Sequence, residues 1–198
     1  MNGLAPAGLA LAVASAAAVS AQQAPPLDRA TPPASITAHT VPPPLREDAI
    51  RLPVPVIAQA PERCGPAALA MVLRFHGAPD SAVAEAGRAY SAALRGALIS
   101  DLARAAERAG FAARAAALTE DSLLVMLRDS IPPILHYRIG PVPATRGHYG
   151  VLIGWDPAHR EYLVNDGGAK TARYGRDDLM RRWRAADSLA LIVRRPGR

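Results

Sequence analysis

Between Gln22 and Glu47 the chain carries Pro25-Pro26, Pro32-Pro33 and Pro42-Pro43-Pro44 among alanine and threonine. No hydrophobic core can form from such a run, which favours extended, partly polyproline II backbone. Residues 22–49 are therefore read as a spacer, with a ligand for a proline-reading partner as the less favoured alternative. Whatever folds must come from residues 50–198. Ahead of the spacer, residues 1–21 are almost wholly small or apolar and end in Val19-Ser20-Ala21, small residues at the two positions a signal peptidase reads. They are read as an export signal, the alternative being a retained anchor. No later apolar run reaches the roughly 18 residues a bilayer span needs, so a polytopic protein is excluded.

The 198 residues, half of them hydrophobic, suffice for one well-buried domain but not comfortably for two. The net charge of +6 is spread as single arginines among acidic residues, and Lys170 is the only lysine. With no basic run interleaved with aromatics, a nucleic-acid groove is not indicated, and the charge is read as a solvated surface. There is no glycine-rich phosphate loop and no nucleotide fingerprint, so no ATP site is expected. Cys64 is the sole cysteine, which excludes an internal disulfide and any multi-cysteine zinc site. No cofactor is expected.

From Ile50 the periodicities change. Leu52, Val54 and Val56 alternate with Pro53 and Pro55, as in an edge strand with an incomplete ladder. Ala67, Ala68, Met71, Val72 and Phe75 fall on one helical face, with Pro66 in the first turn and Gly77 at the stop. Further helices are expected at Ser81–Tyr90, Ser100–Ala109 and Glu120–Arg128, with a short strand at Ala112–Leu118. Strands then follow at Ile134–Tyr137, Tyr149–Trp155, Glu161–Val164 and Leu189–Val193, with a helix near Arg176–Trp183. Helices first and strands second predict an α+β domain, with N-terminal helices packed on a C-terminal antiparallel sheet.

The sole thiol opens the first of these helices, where unpaired amides and the helix dipole favour a thiolate. Gly65 beside it can let a substrate backbone approach and can form the turn into the helix, and the two readings are compatible. A nucleophilic cysteine needs a base, a group that orients it, and donors for an oxyanion. Of the five histidines, His39 lies in the spacer, His76 sits about 18 Å along the helix, and His159 occupies a turn. His136 lies within an apolar strand and reads as a core histidine bonded to backbone.

His148 opens the strand through Gly154, which turns at Asp156–Arg160 and returns as Glu161–Asp166. Pairing of these strands as a hairpin brings His148 and Asp166 to one edge of a sheet. The Asp166 carboxylate could then hold the imidazole. Asp166 could equally be a turn residue ahead of Gly167-Gly168. Asn165 is the adjacent alternative, and because its side chain faces the other way only one of the two can orient His148. Gln59, five positions before Cys64, could donate to the oxyanion or be an ordinary loop glutamine.

Gln59, the run Cys64–Leu73 with Gly77, then Gly147–Gly154 and Asp166 together resemble the bacteriocin-processing, double-glycine-leader cysteine peptidases and their stand-alone relatives. The resemblance implies a papain-like fold, catalysis by Cys64, His148 and Asp166, and Gln59 in the oxyanion hole. It implies a peptide or protein substrate, with transient association with a membrane or transporter. This chain departs from the pattern at Arg63, where the best-known members carry aspartate, and at Gly167, where they usually carry proline. Those peptidases are also fused to an ATP-driven exporter on the cytoplasmic side, so leader removal after Gly-Gly does not carry over.

The reading is an exported cysteine endopeptidase acting in the periplasm or outside the cell. The alternatives are a transpeptidase or amidase of cell-wall peptides with the same nucleophile, and a peptide-binding module without turnover.

Overall fold

The computed structural model describes residues 48–197. The readings of residues 1–21 as an export signal and of 22–49 as a spacer lie outside them, save for the last two positions of the spacer. The strand expected across Leu52, Val54 and Val56 is reduced to β1 (Ile50–Arg51). Pro53 and Pro55 have no amide to donate, so the ladder stops before them. Leu52 and Val54 are nonetheless buried in the core.

Helix α1 (Cys64–Phe75) buries most of its length, from Gly65 to Leu73 except for Ala70. Pro66 falls in the first turn, where an amide has no intrahelical acceptor. The helix stops at Gly77, whose φ of 72° needs no Cβ. There the Ala78 amide bonds back to Leu73 O at 3.0 Å and the Gly77 amide to Arg74 O at 2.8 Å, so two orphan carbonyls of the last turn are paired. The single helix expected over Ser81–Tyr90 is instead α2 (Asp80–Ala84) running into a 3₁₀ turn, Glu85–Ala89. α2 has no buried residue, and only Ala86 and Ala89 of the turn reach the core. Too little is buried to hold a continuous helix.

Helix α3 (Ile99–Arg108), strand β2 (Ala112–Ala117) and helix α4 (Glu120–Arg128) follow. The remainder is β3 (Ile134–Ile139), β4 (Arg146–Asp156), β5 (Glu161–Asn165), β6 (Ala172–Gly175), helix α5 (Arg176–Arg184) and β7 (Leu189–Arg194). The seven strands make one antiparallel sheet in the order β2-β7-β3-β4-β5-β6, with β1 added beside β4. β2 thus crosses from the helical half to the far edge of the sheet, pairing Ala112–Ala117 with Arg194–Leu189.

Helix α1 lies against β3 and β4, and α5 against β3, β5 and β6. Leu69, Leu73, Leu102, Tyr137, Tyr162 and Trp183 are fully buried between these elements. Each large apolar side chain so placed contributes about 1.5–3 kcal/mol relative to exposure. β4 is the central rail. Its N-terminal end stands beside the start of α1, and a register shift against β5 between Leu152 and Gly154 bends its other end. Among the described residues no helix is long and apolar enough to cross a membrane.

Candidate active site

Cys64 is the first residue of α1, and its partly buried thiol shares a cleft with the His148 ring, to which it is electrostatically coupled. Burial acts to raise the thiol pKa, but His148 and the main-chain amides of Tyr149 and Gly65 outweigh it, so the thiol is held below its usual range. His148 is the third residue of β4 and is 92% buried, with a relative exposure of 8%. Burial alone would lower its pKa. Cys64, then Asp166, reverse that and raise it. The two shifts move in the directions that favour a thiolate–imidazolium pair.

His148 Nε2 lies 2.9 Å from the main-chain oxygen of Asp166. A carbonyl only accepts, so Nε2 carries the proton and Nδ1 is the nitrogen left for the sulfur. Hairpin pairing of β4 and β5 does bring His148 and Asp166 to the same sheet edge, but the orienting contact differs from the expected one. The Asp166 carboxylate is turned away. Its Oδ2 accepts from the Tyr174 hydroxyl at 2.9 Å and its Oδ1 from the Gly168 amide at 3.3 Å. Asn165 does not approach His148. It is fully buried on the other side of β5, where Nδ2 donates to Val54 O at 3.1 Å and Oδ1 accepts from Thr171 at 2.8 Å.

Gln59 lines the same cleft as Cys64 and His148. Its amide nitrogen in the main chain donates to Gly167 O at 3.0 Å, and its side-chain Oε1 is buried without a partner against Gly167. A Cβ on Gly167 would fall 2.3 Å from that oxygen, and φ at Gly167 is 88°. With the oxygen end packed there, the amide group's NH₂ is the end left for the cleft. Gly167, the departure from the resembling family's usual proline, is thus the residue whose missing side chain makes room for Gln59.

Gly65 is explained by packing. A Cβ there would lie 3.1 Å from Ala97 Cβ and 3.2 Å from both Leu102 Cδ1 and Tyr149 Cδ2. It serves the contact of α1 with α3 and β4. Arg63 places its guanidinium 4.1 Å above the Tyr90 ring. Glu62 pairs with Arg95 (Nε to Oε1, 2.7 Å) and accepts from Tyr90 at 3.3 Å, which ties the segment before Cys64 to the loop before α3.

The cleft holds about 400 Å³ and is bounded by that loop, Leu94–Leu98, and by Arg146–Tyr149 of β4. His136 also lines it, correcting its reading as a core histidine. Its ring stacks on Tyr149 with centroids 4.9 Å apart, and a Cβ on Gly147 would meet its Nε2 at 2.6 Å. Burial, then the nearby Arg138, lowers its pKa. The β3–β4 register, which sets His136 opposite Tyr149, was the signal available in the sequence, had Gly140–Thr145 been taken as a hairpin turn. Burial followed by the Cys64 charge pushes the Tyr149 phenol up to about 12, so it stays protonated beside the sulfur.

His76 and His159 stay outside the cleft, bonded to Val193 O and Asp156. A second cavity, of about 340 Å³, is lined by Phe75, His76, Asp129, Ser130 and Arg194 among others and does not include Cys64. Among the described residues there is no cluster of three side chains able to hold a metal ion.

An α+β fold with a thiol at a helix start, sharing a cleft with a strand histidine, defines the class of cysteine peptidases. The chain belongs to the Peptidase C39 family, whose model matches residues 54–196. Its papain-like fold is shared with solved structures. A double-glycine motif protease from an AMS/PCAT transporter, in complex with a leader peptide, matches at TM-score 0.57 and 23% identity, over 73% of this chain and 94% of that one. The peptidase domain of Streptococcus ComA, a bifunctional ABC transporter of quorum sensing, matches at 0.56 and 21%, over 72% and 98%. A C39-like peptidase from Bacillus anthracis matches at 0.64 and 16%, over 77% and 100%. No curated protein sequence matches the chain significantly.

Proposed function

We propose that this C39 peptidase cleaves exported peptides or proteins outside the cytoplasm, with Cys64 as nucleophile and His148 as base. The observation that carries this reading is the Cys64 thiol at the start of α1 sharing one cleft with the His148 ring, whose far side is held by Asp166 O at 2.9 Å. The thiolate attacks the scissile carbonyl carbon, and the His148 imidazolium gives its proton to the departing amine as the C–N bond breaks. Water, deprotonated by His148, then attacks the thioester, and the acid leaves as the thiolate is restored. The Cys64 amide and the Gln59 side-chain amide are assigned to the oxyanion.

A peptide substrate is supported by the family and by the relative solved with a leader peptide. Export is supported by the signal-like pattern of residues 1–21. The test is incubation of the chain from Gln22 onward with a mixture of peptides, products being read by mass spectrometry with and without an added amine. New free carboxyl termini that disappear with Cys64→Ala support hydrolysis. Amine adducts in their place would make the chain a transpeptidase, and no change in any peptide would oppose the reading. For the export reading, the full chain expressed in a bacterium with two membranes should be recovered from the periplasm beginning at Gln22.

A further inference from the structure

Asp166 offers the catalytic pair two acceptors, a neutral main-chain carbonyl and a charged carboxylate. The charged one is the stronger partner for an imidazole N–H, yet the carbonyl holds His148. The reason lies on β6. The Tyr174 hydroxyl donates to Asp166 Oδ2 at 2.9 Å, and the Gly168 amide to Oδ1 at 3.3 Å.

Tyr174 is itself fixed. It pairs with Tyr162 across β5–β6, and its ring meets that of Tyr137 edge-on, with centroids 6.0 Å apart. Tyr137 in turn meets the His148 ring edge-on at 5.4 Å. Its fully buried hydroxyl has no hydrogen-bond partner, and Gly150 leaves the space for it, since a Cβ there would lie 3.0 Å away. The same pair of tyrosines therefore packs against the imidazole and restrains the residue that orients it.

Resting on the reading of His148 as the base, we propose that Tyr174 is a positioning residue: by binding the Asp166 carboxylate it keeps that group from hydrogen-bonding to His148 and leaves the neutral carbonyl to orient the imidazole. A carbonyl fixes the tautomer without a second anion in direct contact with the imidazolium, although the Asp166 charge still acts on the ring from its place against Tyr174. The imidazolium then gives up its proton to a leaving amine more readily than one held by a carboxylate.

The groups that bear on His148 and on this contact are Cys64 of α1, His136 and Tyr137 of β3, Asp166 after β5, and Tyr174 of β6, which also feels Arg182 of α5. Tyr174→Phe removes the hydroxyl that Asp166 Oδ2 accepts from, and with it that hydroxyl's contact with the Tyr137 phenol. Loss of the hydroxyl leaves Oδ2 free to take the Nε2 proton, and a carboxylate in that place favours the imidazolium.

The test is an NMR titration of the His148 imidazole in the Cys64→Ala chain from Gln22 onward, where no thiolate titrates with it. Adding Tyr174→Phe should move the His148 midpoint up by about one pH unit, and adding Asp166→Asn to that pair should bring it back. Asp166→Asn without the tyrosine change should lower the midpoint only slightly, by the charge that acts on the ring without touching it, which keeps the proposal testable even if Tyr174→Phe folds poorly. An unchanged midpoint on loss of the hydroxyl, a rise that persists with asparagine at 166, or a large fall on Asp166→Asn alone would each overturn it. Because the titration needs no turnover, a chain that shows the shift but cleaves nothing would refute the peptidase mechanism and leave the role of Tyr174 standing.

Discussion

Asp166 holds His148 through its backbone, so the identity of its side chain should matter less than in a site where the carboxylate itself orients the base. Asp166→Asn is expected to lower kcat by about tenfold or less, against the roughly 10⁴-fold loss seen when a triad carboxylate is replaced by its amide. Steady-state kinetics on any cleaved peptide separates the two. Gly167 should be far less tolerant. Gly167→Ala forces a Cβ into Gln59 at a φ of 88°. It should cost about 1–3 kcal/mol in urea melts, the scale of a side chain strained at such a φ, and should lower kcat more than KM as Gln59 is displaced. Cys64 was legible as a candidate because it is the sole thiol and opens a helix, and the nearness of His148 to Asp166 followed from counting a hairpin. Which atom of Asp166 faces the ring was not legible. That depends on the chain direction after β5 and on a tyrosine eight residues further on.

Among the elements, α4 is clamped to the sheet at one residue. Glu120 receives both Nε and NH2 of Arg176, each at 2.7 Å, and the Tyr162 hydroxyl at 2.8 Å. Glu120→Ala leaves a buried phenol and a partly buried guanidinium without their acceptor, and about 2 kcal/mol of stability should be lost in chemical denaturation. A loss under about 0.5 kcal/mol would mean the clamp is replaced by water. Elements with strong periodicity and clear ends, such as α1 and α4, were legible in the sequence, whereas β4 begins at Arg146, ahead of the expected start at His148–Tyr149. β6 was not legible, since Ala172-Arg173-Tyr174-Gly175 alternates only between exposed and half-buried positions at the edge of the sheet. β1 was read too long because buried Leu52 and Val54 mimic strand alternation while the prolines between them forbid the ladder.

For the molecule as a whole, the two opposed shifts set a pH window. Despite burial, His148 and nearby amides lower the Cys64 pKa, so the thiolate persists to lower pH than that of a free cysteine. Despite burial, Cys64 and Asp166 raise that of His148, so the imidazolium survives to higher pH than a free histidine would. Turnover should therefore rise as pH climbs through the lowered thiol pKa and fall as pH passes the raised imidazole pKa, giving a bell whose two limbs belong to the pair. α1 and β4 exist in this fold to bring these two groups together, and their pairing is the account's central claim. It is tested most directly by iodoacetamide labelling of the chain from Gln22 onward across a pH series, read by mass spectrometry with His148→Ala as control. Labelling of Cys64 that persists well below pH 7 in the parent and needs alkaline pH in the variant is the predicted result, whereas labelling in both only near the ordinary thiol pKa of about 8.5 would contradict it.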